Sequence, residues 1–213
     1  MEKVIKIKGI GRMDYRPDTC KVSISLRYES TNYLQAVEGA LEKVEDLAEA
    51  VEKAGLDKLA LKVERMRCDC DKEIIKDKKG REKGIITTFV TRQLCHVSFD
   101  INDEVLSIIM EKAIELDGNI SLSYTLKNIE KAKNDLLESA VLDGYMKANI
   151  IAKNGNAKVT GLVSANYGVE EHDFCVERDY DVRVYKKQCL MPTGFNPDDI
   201  HCSEEITLVF GLE

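Results

Sequence analysis

The chain has 213 residues and a formal net charge of −7, with 44% apolar and 32% charged residues. That apolar share fills a real core in one compact domain or two small interlocked ones. The acidic balance removes any general electrostatic pull toward phosphate backbones or anionic lipid, so neither nucleic acid nor a membrane is expected as a partner.

Apolar and charged residues alternate in the opening MEKVIKIKGIG, which predicts a strand over 4–10 carrying Val4, Ile5, Ile7 and Ile10. Lys3, Lys6 and Lys8 interrupt every window in which a secretory signal needs an apolar run of about 7–15 residues. With no stretch near the roughly 20 apolar residues of a membrane span, a cytoplasmic location is the expectation. Gly9 and Gly11 punctuate this strand and Tyr15-Arg16-Pro17-Asp18 marks a turn. A second strand over 19–29 puts Cys20, Val22, Ile24, Leu26 and Tyr28 on one face.

Helical spacing follows, with Leu34, Val37, Leu41, Val44, Ala48 and Val51 forming one stripe, Ser30 or Thr31 as the cap and Gly55 after the end. Residues 59–68 predict a third strand and KDKKGREK a charged turn. A long β-branched strand spans about 85–101. Asn102 caps a second helix that Gly118 closes, and NISLSYTL is the next strand. A third helix covers about 129–153, stopped by Asn154-Gly155. KVTGLVSANYGV is a strand, 171–202 reads as irregular, and SEEITLVFGL is the closing strand. The order ββαββαβαββ predicts an α+β protein of antiparallel sheets with packed amphipathic helices.

Seven cysteines, Cys20, Cys68, Cys70, Cys95, Cys175, Cys189 and Cys202, are odd in number and irregular in spacing, so reduced thiols are expected rather than a disulfide framework. Cys68 and Cys70 flank Asp69 at a strand end, where positions i and i+2 share a face and two thiolates could converge on one soft metal. Zinc takes four ligands, usually with Cys-x₂₋₄-Cys spacing, so further ligands would have to come from Cys95, His96, His172, Cys175, His201 or Cys202. The alternative reading is that free cysteines are small buried hydrophobes, as Cys20 is on its apolar face. A thiol–disulfide pair at Cys68 and Cys70 lacks the Cys-x-x-Cys spacing. Cys95 and His96 are strand neighbours facing opposite ways, which argues against a nucleophilic dyad. There is no Gly-x-Ser-x-Gly, His-Glu-x-x-His or Walker loop, and Gly9-Ile10-Gly11 lacks the third glycine of a dinucleotide loop. No catalytic residue and no cofactor are assigned.

The opening IKIKGIGRMDYRPDTCKVSISL resembles that of the SIMPL-domain family: an alternating strand, Gly-x-Gly, Pro-Asp, then a second alternating strand. The long middle strand leading to GNISLSYTL, the helix ESAVLDGYMKANIIAKNG before KVTGLVSANYG, and the closing SEEITLVFGL follow in the same order. The resemblance implies a single domain over 1–213 with two intertwined α/β subdomains, expected at about 1–58 plus 128–213 and at about 59–127. It further implies homo-oligomeric assembly, as in ring-like or channel-like relatives, with other relatives linked to kinase signalling or oxidative stress. It supplies no catalytic residues. Bacterial members often carry a signal peptide, which this sequence does not show.

The function expected is that of a non-catalytic, self-assembling interaction or scaffold protein. The alternative is a metal-binding or thiol-redox stress protein using Cys68 and Cys70. Strand edges around 1–10 or 203–212 are the expected docking surfaces. Contact between the basic tip at Lys76, Lys78, Lys79, Arg81 and Lys83 and the acidic segment from Glu170 to Asp181 of a neighbour is a further expectation.

Overall fold

The computed structural model describes residues 3–76, 82–168, 174–180 and 197–213. Their order is β1 (Lys3–Tyr15), β2 (Thr19–Ser30), α1 (Tyr33–Lys53), a 3₁₀ turn (Lys58–Ala60), β3 (Lys62–Lys76), β4 (Glu82–Asp100), α2 (Asp103–Glu115), β5 (Asn119–Thr125), α3 (Ile129–Asn154), β6 (Val159–Asn166), β7 (Cys175–Tyr180) and β8 (Ile200–Leu212). The protein is α+β, with three helices among the described residues and two open antiparallel sheets. Strand β7 falls inside the segment expected to be irregular. The third strand begins at Lys62 rather than 59, because Asp57 caps a 3₁₀ turn through the Leu59 amide.

The chain divides into two compact units, one of residues 1–17, 125–176 and 197–213, the other of 18–124 and 177–196. Residues 18–58 fall in the second of these units. Strand β2 pairs along its whole length with β4, and α1 packs on β2, β4 and α2, so residues 18–58 belong with the central region.

In the first unit the strand order is β1-β8-β6, with β8 antiparallel to both neighbours. Its alternation turns Ile206, Leu208 and Phe210 toward α3, whose contact stripe is Ala132, Leu136, Ala140, Gly144, Ala148 and Ala152. Small residues every fourth position let the helix backbone come close to the sheet. Gly9 and Gly11 complete the contact from β1: a Cβ on Gly9 would overlap the Ala140 carbonyl oxygen, and one on Gly11 the Leu136 carbonyl oxygen. The Gly-x-Gly is therefore a helix seat.

The five-stranded sheet has the order β3-β4-β2-β5-β7. Cys20, Val22, Ile24 and Leu26 of β2, Cys95 and Val97 of β4, and Ile120, Leu122 and Tyr124 of β5 meet Leu47, Leu106, Ile109 and Met110 of the helices. Asn32, not Ser30 or Thr31, caps α1, its side chain accepting from the Leu34 and Gln35 amides. Asn102 caps α2 as expected, accepting from Glu104 and Val105. Part of the α1 stripe is turned outward: Leu34 and Leu41 are exposed, while Ala36, Gly39, Ala40 and Leu47 are buried. The Tyr28 ring lies against Gly39, so the helix approaches the sheet through its smallest residues.

Candidate functional site

Strands β3 and β4 form a long antiparallel ribbon whose register pairs Met66 with Gln93, Cys68 with Thr91 and Cys70 with Phe89. Directly opposed residues share a face, so Met66, Cys68 and Cys70 lie beside Gln93, Thr91 and Phe89. This is the side on which Cys95, paired with Ile24, enters the core. Strand β3 is the outermost of its sheet, which leaves Met66 and Cys70 exposed and Cys68 half-buried.

The opposite face is charged. Asp69 accepts from Arg67 Nε at 2.6 Å and from Arg92 Nη1 at 2.8 Å, so this carboxylate is held away from the thiols by two guanidinium groups. The pleat thus sorts Cys-Asp-Cys into two sulfurs on one side and an engaged carboxylate on the other.

Two polar side chains on the sulfur face are orphaned. Thr91 and Gln93 are 0% and 2% exposed, and neither Thr91 Oγ1 nor Gln93 Oε1 has a hydrogen-bond partner among the described residues. An unpartnered buried polar group costs about 1–3 kcal/mol, which singles these positions out. Sequence reading passed over them because Thr-x-Gln in a β-branched strand looks like any alternating pattern. Met66 was missed for the same reason, although its spacing from Cys68 was visible.

Of the other expected metal ligands, those among the described residues do not join this face. Cys95 and Cys20 are sealed in the core, where burial pushes their thiols up to about 11 and about 12. His96 sits on the far side of β4 with its Nδ1 3.9 Å from Glu64 Oε2. His201 Nδ1 and Asp14 Oδ1 are 2.6 Å apart at the surface of the first unit, and Cys202 is buried beside Leu136 and Ile200. Cys175 is half-buried on β7, and His172 and Cys189 lie outside the described residues. Among the described residues no group of three or more His, Cys, Asp and Glu side chains could hold a metal ion.

A second arrangement lies in the first unit. Asp143 of α3 accepts the Ile10 amide of β1 at 2.7 Å and pairs with Lys147 at 2.6 Å, while Lys147 Nζ reaches the Lys8 carbonyl at 3.3 Å. These bonds hold the Asp143 carboxyl below the usual range, Lys147 first and the Ile10 amide second. The i,i+4 pair occupies outward backbone groups of an edge strand. Beside it runs an open groove of about 670 Å³ lined by Arg12, Met13, Glu138, Leu142 and Met146 among others. Neither expected docking edge is simply free: 203–212 is the paired middle of its sheet, and β1 is blunted by α3. The other edge is β6, which carries no charged residue. The basic tip is outside the described residues but for the backbone of Lys76 and Lys83, and the acidic segment but for the backbone of its β7 portion.

The two antiparallel sheets and the glycine-seated helix define an α+β protein. The family model that matches is SIMPL, described as a protein of unknown function (DUF541), and it covers residues 5–210. The chain belongs to the SIMPL family. A search of curated proteins found no match. No helix of the described residues is long and apolar enough to cross a membrane.

Proposed function

We propose that this SIMPL protein is a non-catalytic interaction or scaffold protein that assembles with copies of itself in the cytoplasm. The observation that carries the reading is the second apolar face of α3. One face seats on β1 and β8; on another, Leu142, Tyr145, Met146 and Ile150 are 55%, 48%, 61% and 59% exposed. Positions 142, 146 and 150 repeat every fourth residue, so they form a stripe rather than scattered contacts. A helix apolar on two sides is one made to be covered twice.

A second copy is the partner that fits best. The β6 edge, Val159 to Asn166, is uncharged in a chain with 32% charged residues, and Leu162 and Val163 are exposed on its opposite faces. Antiparallel pairing of β6 with another β6 places no like charges together, which suits an isologous contact. The tuned carboxylate of this unit, Asp143, is explained by edge capping rather than by catalysis.

Sedimentation of the tag-free, reduced protein tests the proposal. The parent is expected to run as a homo-oligomer at micromolar concentration, and Met146→Glu with Ile150→Glu to run smaller with unchanged circular dichroism. A parent that stays monomeric at 50-fold higher concentration overturns it.

A further inference from the structure

We infer that β3, the outer strand of the five-stranded sheet, pairs antiparallel with the β3 of a second copy of this chain, about a two-fold axis at Cys68. The inference rests on the self-assembly proposed above and assigns it a second contact, on the other compact unit. Strand β3 is 15 residues long, and among the described residues no strand covers its outer side. Its register shifts lie between Val63 and Arg65 and between Ile75 and Lys76, so the run from Arg65 to Ile75 is regular. A long regular edge with free outward N–H and C=O groups is a template for another strand.

The order of charges names the occupant. Arg65-Met66-Arg67-Cys68-Asp69-Cys70-Asp71 reads alike from both ends with the sign of charge reversed. Antiparallel pairing centred on Cys68 sets Arg65 opposite Asp71 of the second copy and Arg67 opposite its Asp69. Two-fold symmetry makes each of these pairs twice. Directly opposed residues share a face, so the four ion pairs fall on the charged side of the sheet. On the other side Met66 opposes Cys70, and Cys68 opposes its own counterpart, with no charge brought in. Arg65 and Asp71 are exposed, and the Arg67 side chain is 73% exposed, so these groups are open to a partner. Asp69 accepts from Arg67 and Arg92 of its own copy, and a carboxylate has about four acceptor positions, which leaves room for the second Arg67.

The same order rejects the neighbouring registers. Only every second residue of an edge strand turns its N–H and C=O outward, so allowed registers differ by two residues. A slip of two residues one way opposes Arg67 to Arg67; the other way opposes Asp69 to Asp69. Like charges directly opposite are destabilising. Edge charges commonly keep other strands away. Here their order admits one register of a second copy and excludes those beside it.

Sedimentation equilibrium of the full reduced chain carrying Met146→Glu and Ile150→Glu separates this contact from the one on α3. That protein is expected to dimerise at micromolar concentration. Adding Arg65→Glu opposes carboxylates, and adding Asp71→Arg instead opposes guanidinium groups. Each should raise the dimer dissociation constant by about tenfold. An equimolar mixture of the two variants should recover the starting affinity as a mixed dimer, because the reversed charges then face each other. Both substituted side chains are exposed on an edge strand, and circular dichroism monitors folding. Single variants that dimerise as tightly as their background overturn the pairing, as does a mixture no tighter than either variant alone. A monomeric Met146→Glu, Ile150→Glu protein overturns the β3 contact while leaving assembly through α3 standing. A monomeric parent overturns both.

Discussion

At Gly9 and Gly11 a single methyl group decides whether β1 can lie under α3. The overlap each Cβ would make is with helix backbone, which has no rotamer by which to retreat. Gly11→Ala is therefore expected to cost about 2–3 kcal/mol, the upper range for an overpacked site, read as a lower urea midpoint with little change in slope. Asp143 makes a pH prediction with a definite sign. Its folded pKa is depressed, so its contribution is fully present above the ordinary carboxylate range and is lost as pH falls through the depressed value. Asp143→Asn keeps an acceptor for the Ile10 amide but removes the charge facing Lys147. Stability curves of the two proteins should differ at pH 7 and converge only as pH falls through that depressed value and the carboxylate becomes neutral. Identical curves at neutral pH would mean the capping pair contributes nothing.

Among the elements, β4 carries a cost that its sequence does not explain by packing. Thr91 is fully buried with an unpartnered hydroxyl, so the near-isosteric Thr91→Val should stabilise the protein by about 1 kcal/mol, measured by thermal or urea unfolding. A destabilised Val variant would show that the hydroxyl is already satisfied. Helix α1 offers a contrast between two leucines of one predicted stripe. Leu47 is 0% exposed and Leu41 52% exposed. Leu47→Ala should cost about 2–5 kcal/mol, and Leu41→Lys should stay within about 0.5 kcal/mol. Similar losses at both would return Leu41 to the core.

For the whole molecule, the question is which of its uncovered surfaces meets another chain. If α3 and β6 are covered by a second copy, dilution should release the Tyr145 and Leu162 surfaces together. Hydrogen exchange of β6 amides should then rise with falling concentration while that of β8 stays constant, since β8 is paired on both sides. Concentration-independent exchange in β6 would place the partner elsewhere.

Much of this was determined by the sequence alone. The alternating runs of β1, β2 and β8 and the helix capped at Asn102 depend on local periodicity and turn chemistry, which are readable within a few residues. The family, too, was legible in ordered motifs spanning the chain. Only the tertiary structure decided what those residues face. The leucines of α1 split between core and solvent because Tyr28 and Gly39 set how that helix sits on its sheet. Residues 203–212 proved to be an interior strand because β6 pairs where no local pattern announces a partner. Cys68 and Cys70 acquired Met66, Thr91 and Gln93 as neighbours through a register set across some twenty residues of chain. Long-range pairing is chosen by the global burial of one sheet face, and no window of sequence contains that choice.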